Sequence, residues 1–480
     1  MKKNILSIAA LSLLCMGLAS CSDDELPYSE AQVTNTELRT ILEKQGIQFD
    51  ETGHMLLDDK VQNLTKLDLT GTKFTDFNSL TILPNLNELD LSDNEFGPAF
   101  DFSTLPAQIT GVDLTGNEIY DFEGLVKVEF PEDGGDTKVT NLREIKKLHI
   151  PATMKDNFDD MVYFYSQNKA AINDKTMDVQ MADEKGNLAT YTTLRNIPDA
   201  ELVKYFKHEF PAVMVGEQID MAAYMPMEQA TKALSVSAVG TGDVYEVDVM
   251  DFEGVQYLAN NPNWNGAVVS LTGLANPDYS PKSVMPKFPI KESVTKVFFT
   301  FVSGEIDFSK ASNLAQIMIT SNNGLTEIDL NGATLWGTRA AETELGNTYG
   351  SAIMVSMCSN LEKVVMPEAK DLKCFCYGFE ICPKLKALDM SHLNMVGFGG
   401  YILAELADNC KLTYPNLTLY EKDGFIETNF ACSTNVWNVQ ATKDFLTKYY
   451  TKIEDPSKRI QKGYTMNSMD DFDWESELSL

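Results

Sequence analysis

The sequence predicts an α/β solenoid built as two tandem repeat modules, each opened by a short helical cap. Three observations predict it. The pentapeptide DFEGL at 121–125 returns 130 positions later as DFEGV at 251–255, with looser copies DFNSL at 76, DFSTL at 101 and DFSKA at 307. A motif written five times belongs to a repeating scaffold rather than to a catalytic site. Second, LTKLDLTGTKF from Leu64, LNELDLSDNEF from Leu86 and ITGVDLTGNEI from Ile109 share one template, with starts 22 and 23 residues apart. Third, the segment before these copies, NTELRTILEKQGIQFDETGHMLL, has a later counterpart in NIPDAELVKYFKHEFPAVMVGEQIDM at 196–221. A length of 480 residues at 44% apolar composition is enough for two or three ordinary domains or one long stack of repeats.

Residues 1–20 read as a lipoprotein signal peptide and stand outside the fold. Lys2 and Lys3 precede ILSIAALSLLCMGLA, an apolar run shorter than the roughly 20 residues of a transmembrane helix. The run ends in Leu18-Ala19-Ser20-Cys21, which resembles the lipobox of bacterial lipoproteins. That resemblance implies that Cys21 is lipidated and becomes the new N-terminus, so that the membrane is reached through a lipid anchor only. The competing reading is an ordinary secretory peptide that happens to contain Cys21. Several acyl chains, at about 0.8 kcal/mol per buried CH₂, hold where one is marginal. Ser22-Asp23-Asp24-Glu25 opens an acidic linker, 21–33, and resembles the export signal of Bacteroidota surface lipoproteins. It implies an outer-membrane lipoprotein exposed on the cell surface; a linker without sorting meaning is the alternative.

The first module spans 34–150. An amphipathic helix is expected from about Thr36 to Gln45, then Gly46, then a strand. The three template copies follow, each matching LxxLxLxxNxL, with Thr72 standing where Asn94 and Asn117 stand. This is the leucine-rich-repeat signature. Apolar positions 1, 4 and 6 point inward from a short strand, and the position-9 Asn bonds backbone where the chain leaves it. No single coil closes a core, so neighbours must stack. The DFxxL copies fall on the return side and bring Phe77, Phe102 and Phe122 into a stack of rings. The segment KFTDFNSLTILPNLNELDLSDNEF resembles internalin-type repeats of bacterial surface proteins, and the upstream helix resembles the cap of such arrays.

Residues 151–195 are less regular and read as a connector or insertion, and EFPEDGGD at 129–136 reads as a loop. The second module, 196–455, has looser coils with candidate strand starts at Val294, Leu314, Leu361 and Leu385. Leu325 follows Leu314 by only 11 residues. The segment NLEKVVMPEAKDLKCFCYGFEICPKLKALDM resembles the irregular repeats of Bacteroidota surface proteins, where two strands per coil account for such a half period. An amphipathic run, ATKDFLTKYYTKI, is expected to close the open end near 441–453, before an acidic tail at 456–480.

Function classes narrow next. A net charge of −31 and a pI near 4.5 disfavour nucleic acid and anionic headgroups as partners. Beyond Cys21 six cysteines remain, all past residue 350; Cys358 and Cys382 precede a repeat Leu by three, which suggests equivalent buried positions. Cys374 and Cys376 in CFC would share one side of a strand, with no His or CxxC spacing to imply metal. Structural thiols are the favoured reading and disulfides the next. His54, His149, His208 and His392 sit in unrelated contexts; HExxH and GxSxG are missing, and Gly240-Thr241-Gly242 lacks a nucleotide-loop setting. The sequence therefore reads as a non-enzyme without cofactor or metal, although 70 acidic residues leave carboxylate pairs open.

Binding is expected on the concave face, where position 5 of each coil projects outward. In the first module that position gives Asp68, Asp90 and Asp113, like charges about 4.8 Å apart that need cations, a basic ligand or the hydroxyls of Thr70, Ser92 and Thr115 to offset repulsion. The row is either an acidic binding strip or simply the residue this repeat prefers. In the second module it gives Phe298, Met318, Val365 and Asp389. Regular exposed apolar side chains mark interaction surfaces, unless the register slips or another segment covers the sheet. The resulting expectation is an anchored surface protein that binds a protein or peptide, as an adhesin or a component of a complex. A glycan-binding lipoprotein is the alternative, for which Trp264, Trp336, Trp437 or Trp474 would have to stand exposed.

Overall fold

The computed structural model describes residues 28–130, 137–238, 246–338, 351–369, 372–416 and 429–449, with short pieces at 341, 421–422, 425–426 and 460–462. The signal peptide 1–20, Cys21, the loop residues 131–136, Gly240-Thr241-Gly242 and Trp474 lie outside the described residues. The chain divides into two compact units: Met1–Leu125, Leu142–Ala152 and Lys175–Ala189 form one, and Val126–Asn141, Thr153–Asp174 and Thr190–Leu480 the other. Residues 151–195, expected as a connector, are thus shared out between the two. They carry the helix Met161–Asn173 and the strand Asp178–Ala182. Two other expectations change. The acidic linker 21–33 contains a strand, Tyr28–Gln32, paired antiparallel with His54–Leu56, and the expected tail 456–480 contains the strand Ile460–Lys462.

The first unit holds a six-stranded sheet in the order Leu188–Thr190, Asp178–Ala182, Lys147–Ile150, Gly111–Asp113, Glu88–Asp90, Lys66–Asp68. The template's position 4 builds its inner row: Leu67, Leu89, Val112, Leu148 and Val179 lie in register on parallel strands, none more than 1% exposed. Burying each such side chain contributes roughly 1.5–3 kcal/mol, which a lone coil could not gain. Asn117 Nδ2 donates to the Leu114 and Leu91 carbonyls, and its Oδ1 accepts from the Asn94 and Phe96 amides. Asn94 repeats this one coil earlier, donating to Leu69 O and accepting from Lys73 N. Thr72, in the first copy, donates to Leu69 O and accepts from Phe74 N, both within its own coil, because a short hydroxyl does not span to the coil before.

Glycine is required at one turn of this ladder. Gly116 has φ of 71°, and a Cβ there would lie 1.9 Å from Asp93 Oδ1. On the return side Phe77, Phe102 and Phe122 are all buried, with Phe102 and Phe122 edge to face at 5.0 Å. The stack is not continuous as read from the repeats, because Phe100 stands between Phe77 and Phe102, at 6.4 and 5.2 Å. Arg143 closes this side by donating to the carbonyls of Phe102, Leu105, Pro106 and Ile109.

The second unit holds a nine-stranded parallel sheet: Leu234–Ser237, Val268–Thr272, Lys296–Thr300, Gln316–Thr320, Ser351–Ser356, Leu372–Cys382, Leu393–Leu406, Asn429–Cys432 and Ile460–Lys462. Its inner row runs Val269, Val297, Ile317, Ile353, Tyr377, Tyr401, Phe430, all buried. Five strands have a residue in left-handed conformation within one position of their last residue: Phe301, Ser321, Met357, Ile381 and Glu405, with φ between 51° and 57°. The half-period spacing at Leu325 has its reason in a second set of strands, Glu327–Asp329 paired with Lys363–Val365 and Ala387–Asp389 paired with Lys411–Thr413. Leu325, Leu361 and Leu385 are the buried residues that lead into three of them. The described residues therefore form a repeat fold in which several small sheets accompany the two long ones.

Helices are few. Thr36–Lys44 is capped by Asn35, whose side chain accepts from Leu38 N, and buries Leu38, Ile41 and Leu42. Ala200–Glu209 is capped by Asp199, which accepts from Glu201 N and Leu202 N, and buries Leu202, Val203, Tyr205 and Phe206. The two share the Asx cap and the i, i+3, i+4 apolar face. Gln440–Tyr449 is helical where the amphipathic run predicts it. None of the six downstream cysteines is joined in a disulfide, and Cys358 and Cys382 are buried. Cys374 and Cys376 do not share a side: a bulge between them leaves Cys374 fully buried and Cys376 partly open.

Candidate binding faces

Asp68, Asp90 and Asp113 stand side by side on the outer face of the first sheet, and the row continues through His149 and Gln180. Its charges are answered from within. Lys66 Nζ lies 3.0 Å from Asp90 Oδ2, and the hydroxyls of Ser92 and Thr115 donate to Asp90 and Asp113. His149 places Nδ1 3.0 Å from Asp113 Oδ2 and Nε2 3.1 Å from Asp178 Oδ2. Burial pushes the Asp113 carboxyl up, but the His149 and Thr115 hydrogen bonds and the nearby imidazole charge win and bring it to about 2. Burial likewise pulls His149 down, and its two carboxylate partners raise it on balance above 6.5. Lys147 pairs with Glu88 in the adjoining row. Asp68 keeps only the Thr70 amide as a hydrogen-bond partner on its carboxylate. Most carboxylates on this face are thus paired, with Asp68 the exception, which weakens the acidic-strip reading.

The outer face of the nine-stranded sheet is different in kind. Phe298 and Met318 are register partners, and their row runs from Ser235 and Ser270 on one side to Met354, Gly378, Ile402 and Ala431 on the other. Val365 and Asp389 do not belong to it: they lie on the second set of strands, because Leu361 and Leu385 start that set and not the main sheet. Met354 is the residue that the repeat template missed. Met318 is 41% exposed, Phe298, Met354 and Ile402 are half-buried, and the Met354 thioether lies over Gly378, where a Cβ would come within 2.0 Å of Sδ. On one side runs a hydroxyl row, Thr272, Thr300, Thr320 and Ser356, with Ser356 Oγ donating to Thr320 at 3.1 Å. On the other side are Lys296, Gln316, Ala352 and Cys376. Across these three rows, from Val268–Thr272 to Leu393–Leu406, Lys296 and Glu380 are the charged residues, in a chain that is 23% charged.

The second set of strands carries the charge instead. Lys363 Nζ lies 2.6 Å from Glu327 and Lys386 pairs with Glu362, and a groove of about 450 Å³ lies between them. Trp264, Trp336 and Trp437 are fully buried, so none can serve as an exposed sugar platform, and Trp264 Nε1 donates to the Lys232 carbonyl. Among the described residues no three His, Cys, Asp or Glu are grouped to hold a metal ion, and no helix is long and apolar enough to cross a membrane.

Comparison with known proteins agrees with the geometry. The Leucine Rich repeat family matches residues 83–99, which include the strand Glu88–Asp90 and the ladder residue Asn94. Over 107 residues the chain is 28% identical to acidic leucine-rich nuclear phosphoprotein 32 family member A of Drosophila melanogaster. That match covers 22% of this chain and 38% of the relative's length. The chain carries leucine-rich repeats, a fold that commonly binds proteins.

Proposed function

We propose that this leucine-rich-repeat chain is a non-enzymatic surface lipoprotein of the Bacteroidota type, anchored through Cys21, whose nine-stranded sheet binds a protein or peptide partner in adhesion or in a surface complex. On this reading the chain is two tandem repeat modules, each opened by a capping helix, Thr36–Lys44 and Ala200–Glu209. One observation carries the binding assignment. The outer face centred on Phe298, Met318 and Met354 is nearly free of charge on a molecule of net charge −31. Interface cores lose charge and gain aromatic and methionine side chains, and methionine adapts its shape to a partner. The lipobox and the acidic Ser22-Asp23-Asp24-Glu25 support surface export.

The test is capture of candidate surface proteins and peptides by the mature ectodomain, with Phe298→Asp as the variant. Loss of an interface anchor lowers affinity by roughly 30-fold or more. The half-buried, outward Phe298 ring makes little core, so the midpoint of thermal unfolding should stay within about 2 °C of wild type. An equal loss of stability and binding would assign Phe298 to packing. Protease treatment of intact cells should remove the protein, and a surviving full-length band would count against surface exposure.

A further inference from the structure

His149 is not used by the proposed binding face, and its surroundings are unusual. Both ring nitrogens face carboxylates on different strands, Asp113 at 3.0 Å and Asp178 at 3.1 Å, and the residue is 7% exposed. A neutral imidazole has one N–H and one lone pair, so it satisfies only one carboxylate; the imidazolium satisfies both. A second arrangement is already in place. Gln180 Nε2 donates to Asp178 Oδ1 at 2.7 Å and stands 3.4 Å from His149 Nε2, where it can donate to a lone pair once the proton is gone. We propose that His149 is a pH-operated latch on the outer face of the first sheet. Protonated, it ties the Gly111–Asp113 strand to the Asp178–Ala182 strand; deprotonated, it keeps its Nδ1–H bond to Asp113, accepts from Gln180, and releases Asp178.

The other groups on this face do not supply a competing switch. Lys147, on the same strand as His149, is paired with Glu88, and Asp90, next to Asp113, is held by Lys66. The strand beyond Asp178–Ala182, Leu188–Thr190, carries no charged residue. The latch changes what the face presents. With the carboxylates ionised, the group Asp113, His149, Asp178 goes from net −1 to net −2 as the imidazole loses its proton. Asp178, whose side chain is 48% exposed and which stands beside Lys147 in the adjoining row, then loses its imidazolium partner, keeps the Gln180 hydrogen bond, and is open to a cationic group from solvent or from a partner.

The experiment is a histidine-labelled ¹³C/¹⁵N NMR titration of the full chain, with His149 identified by the resonance missing from His149→Gln. If that variant fails to fold, His54→Gln, His208→Gln and His392→Gln identify it by elimination. The His149 midpoint should lie above 6.5 and fall by a unit or more, a tenfold change in proton affinity, in Asp178→Asn. Gln180→Leu should raise it, because the neutral ring loses its donor. At alkaline pH the ¹⁵N shifts should show the Nδ1–H tautomer. An Nε2–H tautomer, or a midpoint unmoved by Asp178→Asn, would overturn the latch.

Discussion

Single residues in this chain act through whether their polar atoms are answered, and His149 shows it most sharply. Its two carboxylate bonds raise the imidazole above its ordinary 6.5. The sign follows from linkage: a group whose folded value is raised adds stability that is fully present below the unfolded value and is lost as pH rises through the folded one. His149→Gln should therefore lower the stability of its unit by about 1.5–3 kcal/mol near pH 6, the range for hydrogen bonds to charged groups. The deficit should shrink as pH rises beyond the folded midpoint, as denaturant unfolding at pH 6 and pH 9 would show. A deficit that is constant in pH would mean that the residue acts by shape alone. The sequence hid this role. His149 is at the outward position of a strand that the template did not include, and Asp178 comes from a segment read as connector. Only the register that pairs Asp113 with His149 and His149 with Gln180 brings them together.

At the scale of the element, the coil is the unit of construction and the asparagine is its tie. Asn117 bonds the backbone of its own coil and of the one before, so Asn117→Ala would strand several buried amides and carbonyls. The expected loss is about 2–4 kcal/mol, since each buried unsatisfied group costs roughly 1–3 kcal/mol. Thr72→Ala, which removes two bonds within one coil and none between coils, should cost about 1 kcal/mol. Thermal or denaturant unfolding of the two variants checks the ratio; equal losses would mean that the tie between coils contributes little. These strands were legible because Leu67, Leu89 and Val112 repeat at a fixed period. In the second unit two interleaved LxxL patterns share the chain, one per set of strands. A single template therefore assigned Leu361 and Leu385 to the main sheet and carried Val365 and Asp389 with them. Met354 was missed because a long stretch separates its strand from Gln316–Thr320, and period reading fails across an insertion.

Across the whole molecule, charge is distributed by face. Paired carboxylates and amines cover the outer row of the first sheet and the second set of strands, while the outer face of the nine-stranded sheet keeps Phe298, Met318, Met354 and Ile402. Composition alone reports −31 and cannot show this segregation, which depends on which residues alternate inward and outward along each strand. The most direct test compares two faces of one unit. A partner captured by the wild-type ectodomain should be lost by Phe298→Asp and by Met318→Glu, and retained by Lys363→Glu, which alters the charged strands and leaves the apolar row intact. Loss of that partner with Lys363→Glu, together with retention by Phe298→Asp and Met318→Glu, would contradict the assignment and place recognition on the charged groove.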